Sequence, residues 1–359
     1  MSKVYVSKAS PNTIISDYQK LLRKSGYLKT FDLSVPTVIK INLSWTRFYP
    51  ACSSWPWQLE AVLKTLIEDG VKPKDIIPVE NRTVVTKVEK GAFNNKWLPV
   101  LKKYGVKMHF LTDEPYVDYT PKSKMLVMGN VFHKISLPKI IVGKNIIHLP
   151  TMKMHVFTTN TGAMKNYFGM LRTTRHYAHR NIHETLVDLL AIQEEIHPGR
   201  FAVMDGTTVG KGSGPRAMEW EEKGYLLASS DLVSIDAIAA KMMGFNPLKL
   251  DYLKLAQEGN LGIADPKKIT VVGEDISKVN WHYKKRDTLA SKGQKLIYHH
   301  APIWVEKALL QSAIVPWSYF ASNFYHDRYW WNRFGRWRTG RFLKTDWGKL
   351  FTAYPQSEK

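Results

Sequence analysis

From residue 3 to about residue 273, short β-branched apolar runs alternate with longer segments whose apolar positions recur every three or four residues. The short runs predict strands over 4–6, 37–42, 75–79, 106–111, 139–142, 145–148, 201–204, 225–228 and 269–272. The longer ones predict helices over 13–24, 56–69, 86–103, 182–196, 232–243 and 248–258. The second helix has clear punctuation: Ser54 is placed to cap it, Pro56 and Trp57 open it, and Gly70 ends it. Its stripe is Leu59, Val62, Leu63, Leu66 and Ile67. Strands separated by helices of ten or more residues build βαβ units, so the expected fold is α/β, a mostly parallel or mixed sheet with helices on both faces. The stretch 112–133, broken by Pro115, Pro121, Gly129 and Asn130, reads as an insertion or domain junction.

Composition adds a boundary. The 359 residues are 44% apolar and 12% aromatic, enough for a full core, which excludes general disorder and a small stapled scaffold. With 52 Lys and Arg against 31 Asp and Glu the chain carries +21. Residues 283–359 hold fourteen of those cations against five acids, together with six of the twelve tryptophans. The expected organisation is therefore an α/β domain over 1–282 and an aromatic, basic extension over 283–359. Cys52 is the sole cysteine, which excludes an internal disulfide and any cysteine-built zinc or iron–sulfur site. The start, MSKVYVSKAS, lacks an apolar stretch of signal-peptide length, so a cytoplasmic setting is expected.

Ligands of open α/β sheets bind beyond the carboxyl ends of the strands, and three stretches fall there. Residues 148–175 set Lys153, His155, Lys165, Asn166, Arg172 and Arg175 among Thr158, Thr159, Thr161 and Gly162. Cationic and neutral donors on close-approaching backbone suit a carboxylate or phosphate. Next, His176, His179 and His183 are spaced by three and four, followed by Glu184 and Asp188. On a helix beginning near His176 they would share one face and could hold a divalent metal or do acid–base work. A plain polar helix face is the alternative. Third, a strand delivers Asp205 into a glycine-rich segment with Gly206, Gly210, Gly212 and Gly214, read as a flexible loop whose amides could cradle an anion. It is neither a P-loop nor a dinucleotide fingerprint. Lys40 and Asn42 share one side of a strand near its carboxyl end, and Asp236 is an unusual acid among apolar neighbours.

Several of these segments together resemble the family known only as domain of unknown function 362. The resemblance spans roughly 35–275 and rests on Lys40-Ile41-Asn42-Leu43, on Leu149-Pro150 leading to Lys153 and His155, and on Gly162-Ala163-Met164-Lys165-Asn166 with Phe168-Gly169. A histidine at 176 or 179, Asp205-Gly206 with Gly212, Gly214 and Pro215, and Ser230-Asp231 with Asp236 complete it. It implies that these residues line one pocket. Members often carry iron–sulfur ferredoxin modules; with Cys52 alone, this chain cannot hold its own cluster.

The expectation is an enzyme acting on a small anionic metabolite by acid–base or metal-assisted chemistry. His155, Lys165, His176, His179 and Asp205 are its candidate catalytic groups. Lys40, Asn42, Lys153, Thr161, Gly162, Asn166, Arg172, Gly212, Gly214 and Asp236 are its candidate binding residues, and His176, His179 and His183 its candidate metal ligands. A non-catalytic ligand-binding or assembly protein is the rival. In the extension, residues 303–347 mix Trp with Arg and Lys, the composition of a segment at an anionic membrane surface or a membrane-protein partner. The same residues could cover the α/β body, make an oligomer contact, or stack single-stranded nucleic acid, although no RNA-binding signature accompanies them.

Overall fold

The computed structural model describes residues 2–83, 85–310 and 316–357. Its strands are β1 (Ser2–Lys8), β2 (Thr37–Lys40), β3 (Ile76–Glu80), β4 (His109–Phe110), β5 (Tyr116–Tyr119), β6 (Ile135–Pro138), β7 (Asn145–His148), β8 (Thr151–His155), β9 (Thr159–Thr161), β10 (Arg200–Ser213), β11 (Ala217–Ser229) and β12 (Ile269–Gly273). The principal helices of the body are α1 (Ile14–Ser25), α2 (Pro56–Glu68), α3 (Val88–Asn94), α4 (Trp97–Lys103), α5 (Met128–Val131), α6 (Ala163–Asn166), α7 (Ile182–Ile196), α8 (Leu232–Met243) and α9 (Asp251–Glu258). The main sheet runs β12-β1-β11-β10-β7-β2-β3-β4, with the β8–β9 hairpin attached through β8 to β10. From β10 to β4 all neighbours are parallel, whereas β11 is antiparallel to both β10 and β1, which makes the sheet mixed.

The two-residue side-chain period distributes the strands between two cores. Val38, Ile146 and Met204 face one, with Leu186, Ile235 and Leu253 from α7, α8 and α9. Ile39, Ile147 and Val203 face the other, with Tyr18, Leu59 and Val100 from α1, α2 and α4. The fold is thus the expected α/β sandwich with helices on both faces.

Local differences from the expectation have identifiable causes. The segment 86–103 is two helices, because the Asn95 side chain binds the Gly91 carbonyl (2.8 Å) and Lys96 then turns left-handed at φ 59°. The run 139–142 is a 3-10 turn held by Lys139 N to the Pro115 carbonyl (2.8 Å), and the strand over 106–111 shrinks to His109–Phe110. Ser54 does not cap α2; its hydroxyl accepts from Asn42 N (2.9 Å) and donates to the Leu149 carbonyl (2.6 Å), tying together the chain leaving β2 and β7. Residues 206–213 are not a loop but the outer half of β10. A Cβ on Gly210 would come within 2.3 Å of Met218 Sδ, so glycine there permits close strand packing. Within 112–133, β5 pairs with β6 outside the main sheet.

The extension packs on the body. Phe342 stacks on Trp55 at 5.3 Å, Trp347 lies 5.5 Å from Trp57, and Phe351 stacks on Phe48 at 3.8 Å. Trp330 packs against Trp45 and Tyr49. Lys96 Nζ donates to the carbonyls of Phe351, Thr352 and Tyr354, closing the helix Asp346–Ala353. Residues 311–315, inside the apolar stretch of the extension, lie outside the described residues. No helix among the described residues is long and apolar enough to cross a membrane. Because Trp347 completes a core, Trp347→Ala is expected to cost about 3–5 kcal/mol, read as a lowered denaturant midpoint with an unchanged slope; a shift under about 0.5 kcal/mol would mean that the extension is not part of the folded unit.

Candidate functional site

At the carboxyl ends of β2, β3 and β8 lies a cavity of about 460 Å³. Its polar lining includes Lys40, Asn42, Glu80, His155, Thr161, Lys165, Asn166, Arg175 and Arg216. Lys40 and Glu80 end adjacent parallel strands and form a buried ion pair at 2.9 Å. Lys40 also donates to the Ile41 carbonyl, and Glu80 accepts from the amides of Leu43 and Asn81, each at 2.8 Å. Burial lowers the Lys40 ammonium and Glu80 opposes that shift.

The Gly162–Asn166 segment is set by Asp236 of α8. Its carboxylate accepts from Ala163 N (2.6 Å) and Met164 N (3.1 Å), and burial pushes it up to about 7 against those two bonds. Only glycine fits at 162, since a Cβ there would lie 2.0 Å from the Asp236 carboxylate. So fixed, α6 directs Lys165 to the cavity and sends Asn166 Nδ2 to the Lys40 carbonyl (2.9 Å). Lys165 is half-buried, with its ammonium 5.2 Å from the Phe168 ring centre. Desolvation, and then Arg175, lower it to about 8. Arg175 donates to the carbonyls of Leu171 (2.7 Å) and Arg82 (2.6 Å), and Arg216 to Ser322 (3.0 Å). Among the described residues none of Lys165, Arg175 and Arg216 has a carboxylate within ion-pair distance. Three polar atoms at the cavity, Thr161 Oγ1, Asn166 Oδ1 and Arg216 Nη1, have no hydrogen-bond partner there.

His155 Nδ1 accepts from the amides of Phe157 (3.1 Å) and Thr158 (3.4 Å). A neutral ring then carries its proton on Nε2, a donor rather than a base or a metal ligand at that atom. Desolvation, with Lys165 and His179 adding to it, holds the ring well below the ordinary histidine range. His179 has the opposite tautomer, because its Nδ1 meets the His176 carbonyl at 2.9 Å; burial lowers it to about 3. Both rings are neutral at physiological pH.

Other candidates lie elsewhere. Lys153 is fully buried behind Asn42, donating to Asn42 Oδ1 and Thr151 Oγ1 at 2.6 Å each, and desolvation lowers it to about 7. Arg172 is exposed and sits 4.4 Å over the Tyr116 ring, outside the cavity. Asp205 is in the opposite core. Its carboxylate accepts from Tyr18 (2.6 Å), Trp57 (3.1 Å) and the amide and hydroxyl of Thr207 (2.8 and 2.6 Å), so it supports the fold and faces no ligand. Gly214 borders the cavity, where a Cβ would meet the Met154 carbonyl at 1.8 Å, but Gly212 does not.

The three-histidine face does not form. His176 and His179 end a 3-10 helix, Thr173–His179, and α7 begins afresh at Ile182, which separates His183; that ring stacks on Tyr252 instead. No group of three or more His, Cys, Asp or Glu able to hold a metal occurs among the described residues. Cys52 is buried and its thiol is pushed up to about 11, which makes it a poor nucleophile.

Glu80 and the roof escaped the sequence reading. Glu80 stands one residue beyond the predicted strand 75–79, and extending that strand by its period would have brought it beside Lys40. The roof is Leu289, Ile297, Tyr298, Trp317, Tyr319 and His326 of the extension, whose aromatic composition was visible but whose docking site was not. Arg180 of the body and Glu306 of the extension are joined at 2.6 Å.

The family model described as "Domain of unknown function (DUF362)" matches residues 37–241. A thylakoid-associated protein, sll1697, of Synechocystis sp. is 23% identical over 217 residues, which are 59% of this chain and 63% of that protein. A crystal structure of a Thermotoga maritima protein aligns with 14% identity and a TM-score of 0.36, covering 69% of this chain and 59% of the other. The chain thus spans less than two thirds of either relative's length.

Two substitutions test how the site is held. Gly162→Ala is expected to destabilise the fold by about 1–3 kcal/mol through the collision with Asp236, and Gly162→Ala in an Asp236→Ala background should cost markedly less than the sum of the two single changes. Strict additivity in denaturant melts would show that the two do not touch. For Lys153, whose folded value lies near 7, the unfolded chain binds the extra proton between that value and the ordinary lysine range near 10.4. The parent therefore gains stability as pH rises through that window. The melting temperature of Lys153→Met relative to the parent should accordingly fall from pH 6 to pH 9; a constant difference would mean that Lys153 keeps an ordinary affinity for its proton.

Proposed function

The chain belongs to the DUF362 family, and from that premise we propose that its cavity binds a small organic anion and that Lys165 exchanges a proton with it. One observation carries the reading: Lys40, Lys165, Arg175 and Arg216 line a cavity in which Glu80, the one acid lining it among the described residues, is already engaged by Lys40 and two backbone amides. Such a surplus in a desolvated space is an anion site awaiting its counter-charge. Asn166 and His155 add neutral polar groups that fix orientation.

The chemistry follows from which group can hold or release a proton near neutrality. The two histidine rings are too acidic as cations to serve, whereas an amine near pH 8 is available in both forms. In its free form Lys165 would take a proton from the carbon next to the ligand's acid group. The electron pair left on that ligand would be stabilised by Arg175 and by the His155 Nε2–H. No metal is required in this scheme. Peripheral association with a membrane belongs to the same proposal: Trp304, Phe320 and Trp337 of the extension are exposed, as are its Arg333, Arg336 and Arg341, and the Synechocystis relative is named for its association with thylakoids.

Calorimetric titration with inorganic phosphate, methyl phosphate and malonate at low salt tests the site. At least one should bind, and Lys165→Met or Arg175→Met should weaken it tenfold or more with the fold intact. Because the anion favours protonated Lys165, affinity for a probe that is already fully ionised should be level up to about pH 8 and fall above it, a dependence missing in Lys165→Met. Absence of binding by every probe, or equal binding by parent and variants, would refute the anion site. Loss of the α-hydrogen signal of bound malonate in heavy water, slowed in Lys165→Met, reads the proton step.

A further inference from the structure

The cavity is not uniformly polar. Its cationic floor is sealed, with Lys40 only 1% exposed, while the roof residues Leu289 and Trp317 are 81% and 43% exposed and so lie at the mouth. Phe157, Phe168, Ile297 and Tyr298 line the space as well. Beyond the mouth the apolar surface continues along the extension, where Trp304 and Phe320 are 72% and 71% exposed. A wholly hydrophilic anion would use the floor and leave this apolar lining wet.

We propose that the ligand is an amphipathic acid: an anionic carboxylate or phosphate head on the floor, joined to an apolar tail that leaves between Leu289 and Trp317. The proposal rests on the anion-site reading above and adds the second half of the molecule. Two independent sets of groups recognise its two halves. Arg216 Nη1 and Thr161 Oγ1, donors without partners among the described residues, face the head together with Lys165 and Arg175, and Asn166 Oδ1 can accept only from a protonated oxygen of that head. The Leu289, Ile297 and Trp317 side chains offer the tail a surface whose burial it would share. The extension also exposes Trp304 and Phe320 together with Arg328, Arg333 and Arg336, a composition that would let the same acid arrive from an anionic lipid surface as well as from free solution.

The test is calorimetric titration of the full chain with methyl, butyl, hexyl and octyl phosphate, each below the concentration at which it forms micelles, with octyl glucoside as the uncharged control. Affinity should rise by about two- to fourfold per added methylene, the upper figure corresponding to complete burial. In Leu289→Ser/Trp317→Ala the ratio of octyl to methyl phosphate affinity should shrink towards one, and octyl glucoside should bind at least tenfold more weakly than octyl phosphate. If methyl and octyl phosphate bind alike, the amphipathic ligand is overturned and the anion site stands. If octyl glucoside binds as well as octyl phosphate, the head plays no part and the proposal fails. If no phosphate binds, the amphipathic ligand is overturned, and the anion site stands only if malonate binds. Pelleting with phosphatidylcholine vesicles, with and without phosphatidic acid, separates the sources: pelleting that requires phosphatidic acid and is reversed by octyl phosphate supports a membrane-resident acid, and octyl phosphate binding without pelleting supports a dissolved one.

Discussion

An ammonium group taken out of water must be met by a counter-charge, and in this protein Glu80 meets Lys40 at 2.9 Å where two parallel strands end. A buried pair of this kind adds little net stability, because desolvation consumes most of the Coulombic gain, but it is exacting about geometry. Glu80 also holds the amides of Leu43 and Asn81, so the turns leaving both strands take their course from one carboxylate. The Lys40 backbone carbonyl receives Asn166, and a Cβ on Gly169 would lie 3.1 Å from Lys40 Cε. The segment that bears Lys165 is therefore moulded onto a lysine already fixed by its partner. The remaining cations of the cavity are left unneutralised, and their charge is what a ligand would meet.

What could be read from the sequence depended on whether neighbours along the chain were also neighbours in space. Unbroken apolar runs through Val38-Ile39, Ile146-Ile147 and Val203-Met204 announce strands buried on both faces, and those strands form where expected. Lys40, Asn42 and His155 meet at one cavity because each ends or follows a parallel strand, and the return strand β9, antiparallel to β8, leads Thr161, Lys165 and Asn166 back to the same cavity. Asp205 obeys the same rule in sequence, yet its side chain points to the other core, where Tyr18 and Trp57 satisfy it. A strand end offers two faces, and the sequence does not say which one a given acid takes. The histidine row failed for a different reason: even spacing assumes a continuous helix, and the break after His179 removes that premise.

The extension shows how one composition can serve opposite surfaces. Phe342, Trp347 and Phe351 are buried against Phe48, Trp55 and Trp57, while Trp304, Phe320 and Trp337 face outward. A tryptophan count cannot separate these sets. Their surroundings do: the buried rings meet rings of the body, whereas Phe320 stacks on Phe324 of its own segment and Trp337 lies under Arg341.

The packing of Phe342, Trp347 and Phe351 also orders events in time. These residues are synthesised some 280 or more positions after the rings they cover, and domains fold from the amino end as the chain emerges. Until they arrive, Trp55 and Trp57 have no complete cover, and the cavity has no roof. A nascent chain would thus leave the aromatic surface of Trp55 and Trp57 uncovered until residues 342–351 have emerged, and the cavity would close only once the extension had folded onto the body.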